Sequence, residues 1–70
     1  MSHLTGRVMR PLKYREGDGV EMEIPPGPCE IEPTELDVTI SWVDGDDRGV
    51  TAIPLDAYQR HLAAGTLVLD

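Results

Sequence analysis

The chain has 70 residues, a formal net charge of −7, ordinary hydrophobic content and one cysteine. A chain this short forms one domain with a thin core, since it buries only about 60% of its unfolded surface. One cysteine excludes an intramolecular disulfide, the hydrophobic content argues against wholesale disorder, and no run of apolar residues is long enough to span a membrane. We expect a single cytoplasmic domain over residues 1–70, with no signal peptide and a loose start at residues 1–6.

The charges lie in blocks along the chain. Residues 1–15 carry four positive charges and no acid, residues 16–47 carry eleven acids and no Lys or Arg, and residues 48–70 are balanced. The overall acidity disfavours direct binding to nucleic acid, because phosphate contacts dominate that affinity. A basic segment beside an acidic one is also what a hairpin with opposite charges across its strands requires.

The first predicted hairpin joins residues 12–15 to residues 20–24 around Gly17. Apolar and charged residues alternate in both segments, which is the pattern of half-buried strands. The predicted cross-strand pairs are Leu12 with Met22, Tyr14 with Val20, and Lys13 with Glu21.

A proline-rich turn over residues 25–28 ends the second strand, because proline donates no ladder hydrogen bond. The third strand follows, with Cys29 and Ile31 on its inner face and Glu30 and Glu32 on its outer face. Residues 33–36 are expected to form a connector, with a single helical turn as one form of it.

The segment from Asp37 to Pro54 is predicted to form the central hairpin of the fold. Val38, Ile40 and Trp42 occupy alternate positions, and these residue types favour strands. A three-residue loop at residues 44–46 keeps the apolar faces together. It pairs Val38 with Ala52, Ile40 with Val50, and Trp42 with Arg48, and the last pair allows a cation–π contact.

One helix is predicted, over residues 55–64. Leu55, Tyr58 and Leu62 form a single apolar stripe, Asp56 is placed to pair with Arg60 one turn later, and Gly65 is a natural stop. Residues 66–69 then form a last strand, either buried on both faces or at the closing edge.

These elements predict a mainly β fold of the α+β class. We expect five or six short strands in a small curled antiparallel sheet, or in an SH3-like, partly open barrel, with one C-terminal helix.

The acidic turn at Asp44, Asp46 and Asp47 begins like a calcium-binding loop. The motif then fails, because its fifth position is Arg48 and its twelfth, where a bidentate Glu is needed, is Leu55. We expect no metal site, since acidic β-turns commonly serve solvation and turn geometry alone.

Catalytic chemistry has little support. A Cys29–His61 nucleophile pair is conceivable because such partners meet only in space, but a strand cysteine more often acts as a small apolar residue. One Cys with two scattered His, including His3, makes no zinc set. We therefore expect no enzyme activity and no cofactor.

Two functions remain. In the first, the chain is a non-enzymatic binding or regulatory protein whose carboxylates engage a basic protein partner, with a nucleic-acid mimic as the extreme version. In the second, it is an assembly subunit that self-associates through strand edges, with Leu67, Val68 and Leu69 taking part. The candidate partner-binding residues are Glu21, Glu23, Glu30, Glu32, Asp44, Asp46 and Asp47.

Overall fold

A computed structural model describes residues 4–15 and 19–70. These residues form seven strands and one helix. In chain order they are β1 (Leu4–Val8), β2 (Leu12–Arg15), β3 (Glu21–Ile24), β4 (Gly27–Pro33), β5 (Asp37–Asp44), β6 (Asp47–Pro54), α1 (Leu55–Ala64) and β7 (Leu67–Leu69). The predicted mainly β fold with one C-terminal helix is confirmed, and α1 has the predicted bounds.

Two antiparallel sheets make up the fold. The larger has the strand order β6-β5-β4-β1-β7, and the smaller consists of β2 and β3. The larger sheet stays open, with β6 and β7 as its edges, in keeping with the predicted curled sheet or partly open barrel. The sequence suggested a loose start at residues 1–6. Residues 1–3 lie outside the described residues, whereas Leu4–Val8 form β1, which pairs with both β4 and β7.

The larger sheet has one buried face, called the inner face, and one exposed face, called the outer face. Alternation along each strand assigns residues to the two faces, because successive side chains point to opposite sides. The inner face packs against α1 and against the smaller sheet, from which Leu12 and Ile24 are fully buried. The buried apolar residues are Val8, Leu12, Ile24, Cys29, Ile31, Val38, Ile40, Ile53, Tyr58 and Leu67.

The central hairpin differs from prediction in its register. Gly45 and Asp46 form a two-residue turn, with Gly45 at φ 63°, and Asp44 pairs with Asp47. Positive φ at the first central residue of a two-residue turn is the glycine position of a type II′ hairpin. The three-residue loop was therefore wrong, because the glycine supplies this tighter geometry.

The change of register exchanges the faces of β6. Ile40 pairs with Thr51 and Val38 with Ile53, so Thr51 and Ile53 are buried on the inner face and Val50 is exposed. The predicted pairing of Ile40 with Val50 on one apolar face was wrong, because Val50 pairs with Ser41 instead.

The side chain of Trp42 explains the observed register of the central hairpin, and the sequence pattern did not reveal this. It pairs with Gly49 rather than Arg48, and a Cβ atom built on Gly49 would lie 2.2 Å from the indole Cζ2. The missing side chain of Gly49 is thus the space that the indole occupies, and Arg48 pairs with Val43 instead.

The smaller sheet has the predicted strands and charges in a register shifted by two residues. Its pairs are Leu12 with Ile24, Lys13 with Glu23, Tyr14 with Met22, and Arg15 with Glu21. This register brings Leu12 and Ile24 together in the core, where both are fully buried, whereas Val20 is exposed. The predicted turn residue Gly17 lies outside the described residues.

The connector between β4 and β5 is a hydrogen-bonded turn and contains no helical turn. The Thr34 hydroxyl donates to Asp37 Oδ1 at 2.7 Å, and the Asp37 N–H donates to Thr34 Oγ1 at 3.1 Å. These local bonds favour a turn over a helix, because they satisfy the backbone in a non-helical conformation.

Both ends of α1 follow the sequence signals. Asp56 lies in the first turn, 4.0 Å from Arg60, and Gly65 closes the helix in the left-handed conformation at φ 78°. Arg10 from the β1–β2 connection donates to the Ala64 carbonyl at 2.7 Å. A cation there satisfies a free carbonyl and complements the helix dipole, so part of the basic segment's charge is used inside the molecule.

Candidate functional site: the outer face of the larger sheet

Two of the predicted partner-binding carboxylates, Glu30 and Glu32, lie on the outer face. They alternate along β4 with the buried residues Cys29 and Ile31, and both are exposed. Since β4 is the central strand of the larger sheet, these carboxylates occupy the middle of the outer face.

The described cross-strand neighbours of these glutamates have short side chains. Glu30 pairs with Thr5 on one side and with Ser41 on the other, and Ser41 pairs in turn with Val50. Glu32 pairs with Thr39, which pairs with Ala52. Two exposed carboxylates are therefore set among short side chains.

Exposed valines lie on the same face. Val43, Val50 and Val68 are 59%, 64% and 44% exposed, and register and alternation place all three on the outer face. Arg7 pairs with Val68, and Arg48 pairs with Val43. The outer face thus has an acidic centre, apolar flanks and one arginine toward each side.

A shallow cleft of about 730 Å³ lies at the end of the sheet nearest the β5–β6 turn. Its lining combines apolar, small polar and charged groups and so offers both hydrophobic and polar contacts. The residues of the outer face that line this cleft are Thr5, Pro28, Glu30, Ser41, Val43, Arg48 and Val50, and Asp70 lies beside Thr5.

The remaining predicted carboxylates lie elsewhere. Glu21 and Glu23 belong to the smaller sheet, where they stand opposite Arg15 and Lys13, so basic residues face their charges within the hairpin. Asp46 and Asp47 are exposed at the β5–β6 turn, and Asp44 ends β5. The seven candidates therefore do not form one continuous acidic surface.

No metal-binding cluster forms among the positions that the structure describes. Groups of three or more His, Cys, Asp or Glu side chains suited to a cation do not occur in residues 4–15 and 19–70. His3 lies outside those ranges.

The environment of Cys29 does not favour a nucleophile. Burial and, secondarily, the charge of Asp70 raise the pKa of its thiol. Covalent chemistry requires the thiolate, which a raised pKa makes scarcer at neutral pH. Burial and, secondarily, the charge of Arg60 lower the pKa of His61, which keeps that ring neutral.

The sequence reasoning missed the valines and arginines of the outer face. Alternation with buried Val8 is a local signal that would have placed Arg7 outward once β1 was recognised as a strand. No such local signal existed for Val50, because its exposure depends on the register that Gly49 and Trp42 impose.

Within the described part of the chain, no helix is long and apolar enough to cross a membrane. Comparisons with protein-family models, with curated proteins and with solved structures find no match to this chain.

Proposed function

We propose that this chain is a small, non-enzymatic binding module that engages a basic protein partner through the outer face of its larger sheet. The observation that carries the proposal is the position of Glu30 and Glu32, exposed on the central strand and flanked by exposed valines. Interfaces combine apolar contact, which supplies affinity, with complementary charge, which supplies specificity and association rate.

Charge identifies the kind of partner. A second copy packed face to face by a twofold axis would bring β4 close to β4, and its glutamates would meet glutamates. Like charges brought together in this way oppose association. A surface with Lys or Arg at its centre and apolar residues around them fits instead. The chain's net charge of −7 disfavours nucleic acid as the direct partner.

The mimic of a nucleic acid is the narrower version of this proposal. Such a mimic needs negative charge spread across its binding face, whereas Val50, Arg7 and Arg48 lie among the carboxylates here. We therefore favour a partner with mixed basic and apolar contacts. A cytoplasmic location, where the single cysteine stays reduced, belongs to the same proposal, and neither a cofactor nor catalysis is invoked.

A titration with a defined cationic probe tests the proposal. Isotope-labelled protein is titrated with a short peptide of alternating Lys and Val, and amide chemical shifts are followed at low and high salt. Shifts are expected at β4 and β5 and not at β3, with binding weakened by salt. Shifts centred on Glu21 and Glu23, or no salt-dependent binding, would contradict the proposal.

Paired variants provide the control. The double substitution Glu30→Gln and Glu32→Gln should weaken binding of the peptide by about tenfold, as expected for two exposed ion pairs of up to about 1 kcal/mol each. The matched change Glu21→Gln and Glu23→Gln removes the same charge from the smaller sheet. It should leave the affinity close to that of the unmodified protein.

A further inference from the structure

The larger sheet has two edge strands, and β6 is the longer of them. β6 has eight residues, whereas β7 at the opposite edge has three. Among residues 4–15 and 19–70, no strand pairs with the free side of β6. An exposed strand edge presents unpaired N–H and C=O groups and is a template for a further strand.

The β5–β6 turn determines which groups face this edge. A two-residue hairpin closes on a hydrogen-bonded pair, here Asp44 and Asp47. Hydrogen-bonded and non-bonded pairs then alternate along an antiparallel ladder. Gly49 and Thr51 therefore direct their backbone groups toward β5, and Arg48, Val50 and Ala52 direct theirs outward.

These three outward residues are spaced symmetrically around Val50. If a second copy approaches in the antiparallel direction, Val50 pairs with its own counterpart, and Arg48 of each copy pairs with Ala52 of the other. Each such pair exchanges two hydrogen bonds. The edge is thus self-complementary, as a twofold interface requires.

Charge also favours a second copy at this edge. Residues 49–54 carry no charge in a chain whose net charge is −7. In the symmetric register, Asp47 falls opposite Ile53 and Arg48 opposite Ala52, so no two acids face each other. The β7 edge is shorter and is followed by Asp70. β6 is therefore a long strand edge at which two acidic copies meet without opposing carboxylates.

We propose that two copies of the chain join antiparallel through their β6 edges, with Val50 on the twofold axis, to form one ten-stranded sheet. The axis stands perpendicular to the sheet, so both outer faces lie on the same side and present two glutamate centres in tandem. A small domain with a thin core gains stability from such association. The inference is independent of the proposed basic partner.

Sedimentation across a dilution series tests the dimer. The unmodified chain is expected to sediment as a dimer at high micromolar concentration and to dissociate on dilution. Val50→Pro removes the outward N–H at the axis while leaving the β5 ladder intact, because proline is tolerated where the N–H faces solvent. It should raise the dissociation constant at least about tenfold with an unchanged circular dichroism spectrum.

A second pair of variants tests the dimer even if Val50→Pro does not fold. Val50→Lys places like charges beside each other at the axis and should also weaken the dimer. Val43→Lys makes the same change at an equally exposed valine one strand away from the edge and should leave the dimer intact. A chain that is monomeric throughout, or a dimer that Val50→Lys and Val43→Lys affect equally, would overturn the inference.

Discussion

Replacing Gly49 with alanine tests the contact that sets the register of the central hairpin. Gly49 has an ordinary backbone conformation, so alanine meets no strain in φ, but its Cβ would lie 2.2 Å from Cζ2 and 2.3 Å from Cε2 of Trp42. Ordinary contact begins near 3.4 Å. The indole therefore has to withdraw by about 1.2 Å, the difference between 3.4 and 2.2 Å.

The free-energy cost follows from two opposing effects. Overpacking of this kind destabilises a protein by about 1–3 kcal/mol, whereas replacing glycine with alanine inside a strand contributes about 0.5–1 kcal/mol of stability. The net loss is about 1 kcal/mol. For a domain of this size, that loss lowers Tm by about 4–8 °C.

Thermal unfolding followed by circular dichroism measures the change in stability. Trp42 is the only tryptophan, so its fluorescence reports directly on the indole. It is half-buried and packs against the core, and its emission should shift to longer wavelength in Gly49→Ala as the ring moves toward solvent.

A double-mutant cycle identifies the cause. In a Trp42→Val background the bulky ring is absent, and Gly49→Ala should become neutral or stabilising. If Gly49→Ala leaves both Tm and the emission of Trp42 unchanged, the indole does not lie over Gly49 and the explanation of the register is refuted.

Three further predictions concern other parts of the fold. Gly6→Ala should destabilise by about 1–3 kcal/mol, measured by denaturant unfolding, because its Cβ would lie 2.6 Å from the Val68 backbone oxygen; unchanged stability would show that β7 shifts freely. Arg10→Ala should cost about 0.5–1.5 kcal/mol by removing the hydrogen bond to the Ala64 carbonyl, with Arg10→Lys retaining part of it. The free energy of unfolding should fall as pH drops below about 6.5, because the pKa of His61 is lower in the folded protein and the unfolded chain takes up the proton first. His61→Gln should make Tm depend less on pH in thermal melts, and an unchanged dependence of Tm on pH would contradict this prediction.

The elements that were predicted well have local signals. The helix lies between Pro54 and Gly65, its apolar stripe leads to the buried Tyr58, and its boundaries depend on nearby residues alone. The outward position of Glu30 and Glu32 also follows from alternation with Cys29 and Ile31. The two carboxylates of the candidate site were therefore predictable from one strand.

The elements that were missed depend on distant partners. β1 contains Gly6 and Arg7 and looks unlike a core strand, yet it is held on both sides by residues at least 19 positions away, the separation of Val8 from Gly27. The register of the central hairpin likewise depends on where the indole of Trp42 finds room. Alternation divides the residues of a strand between its two faces. It does not say which face of β6 packs on the core, the one with Thr51 and Ile53 or the one with Val50.

The position of β1 has a consequence for biosynthesis. The first described strand lies between β4 and β7, and its last neighbour consists of residues 67–69. During translation, β1 therefore has one side unpaired until residues 67–69 have been made. Such a chain completes its sheet late, and an exposed strand edge during that interval is where a nascent chain is most open to mispairing.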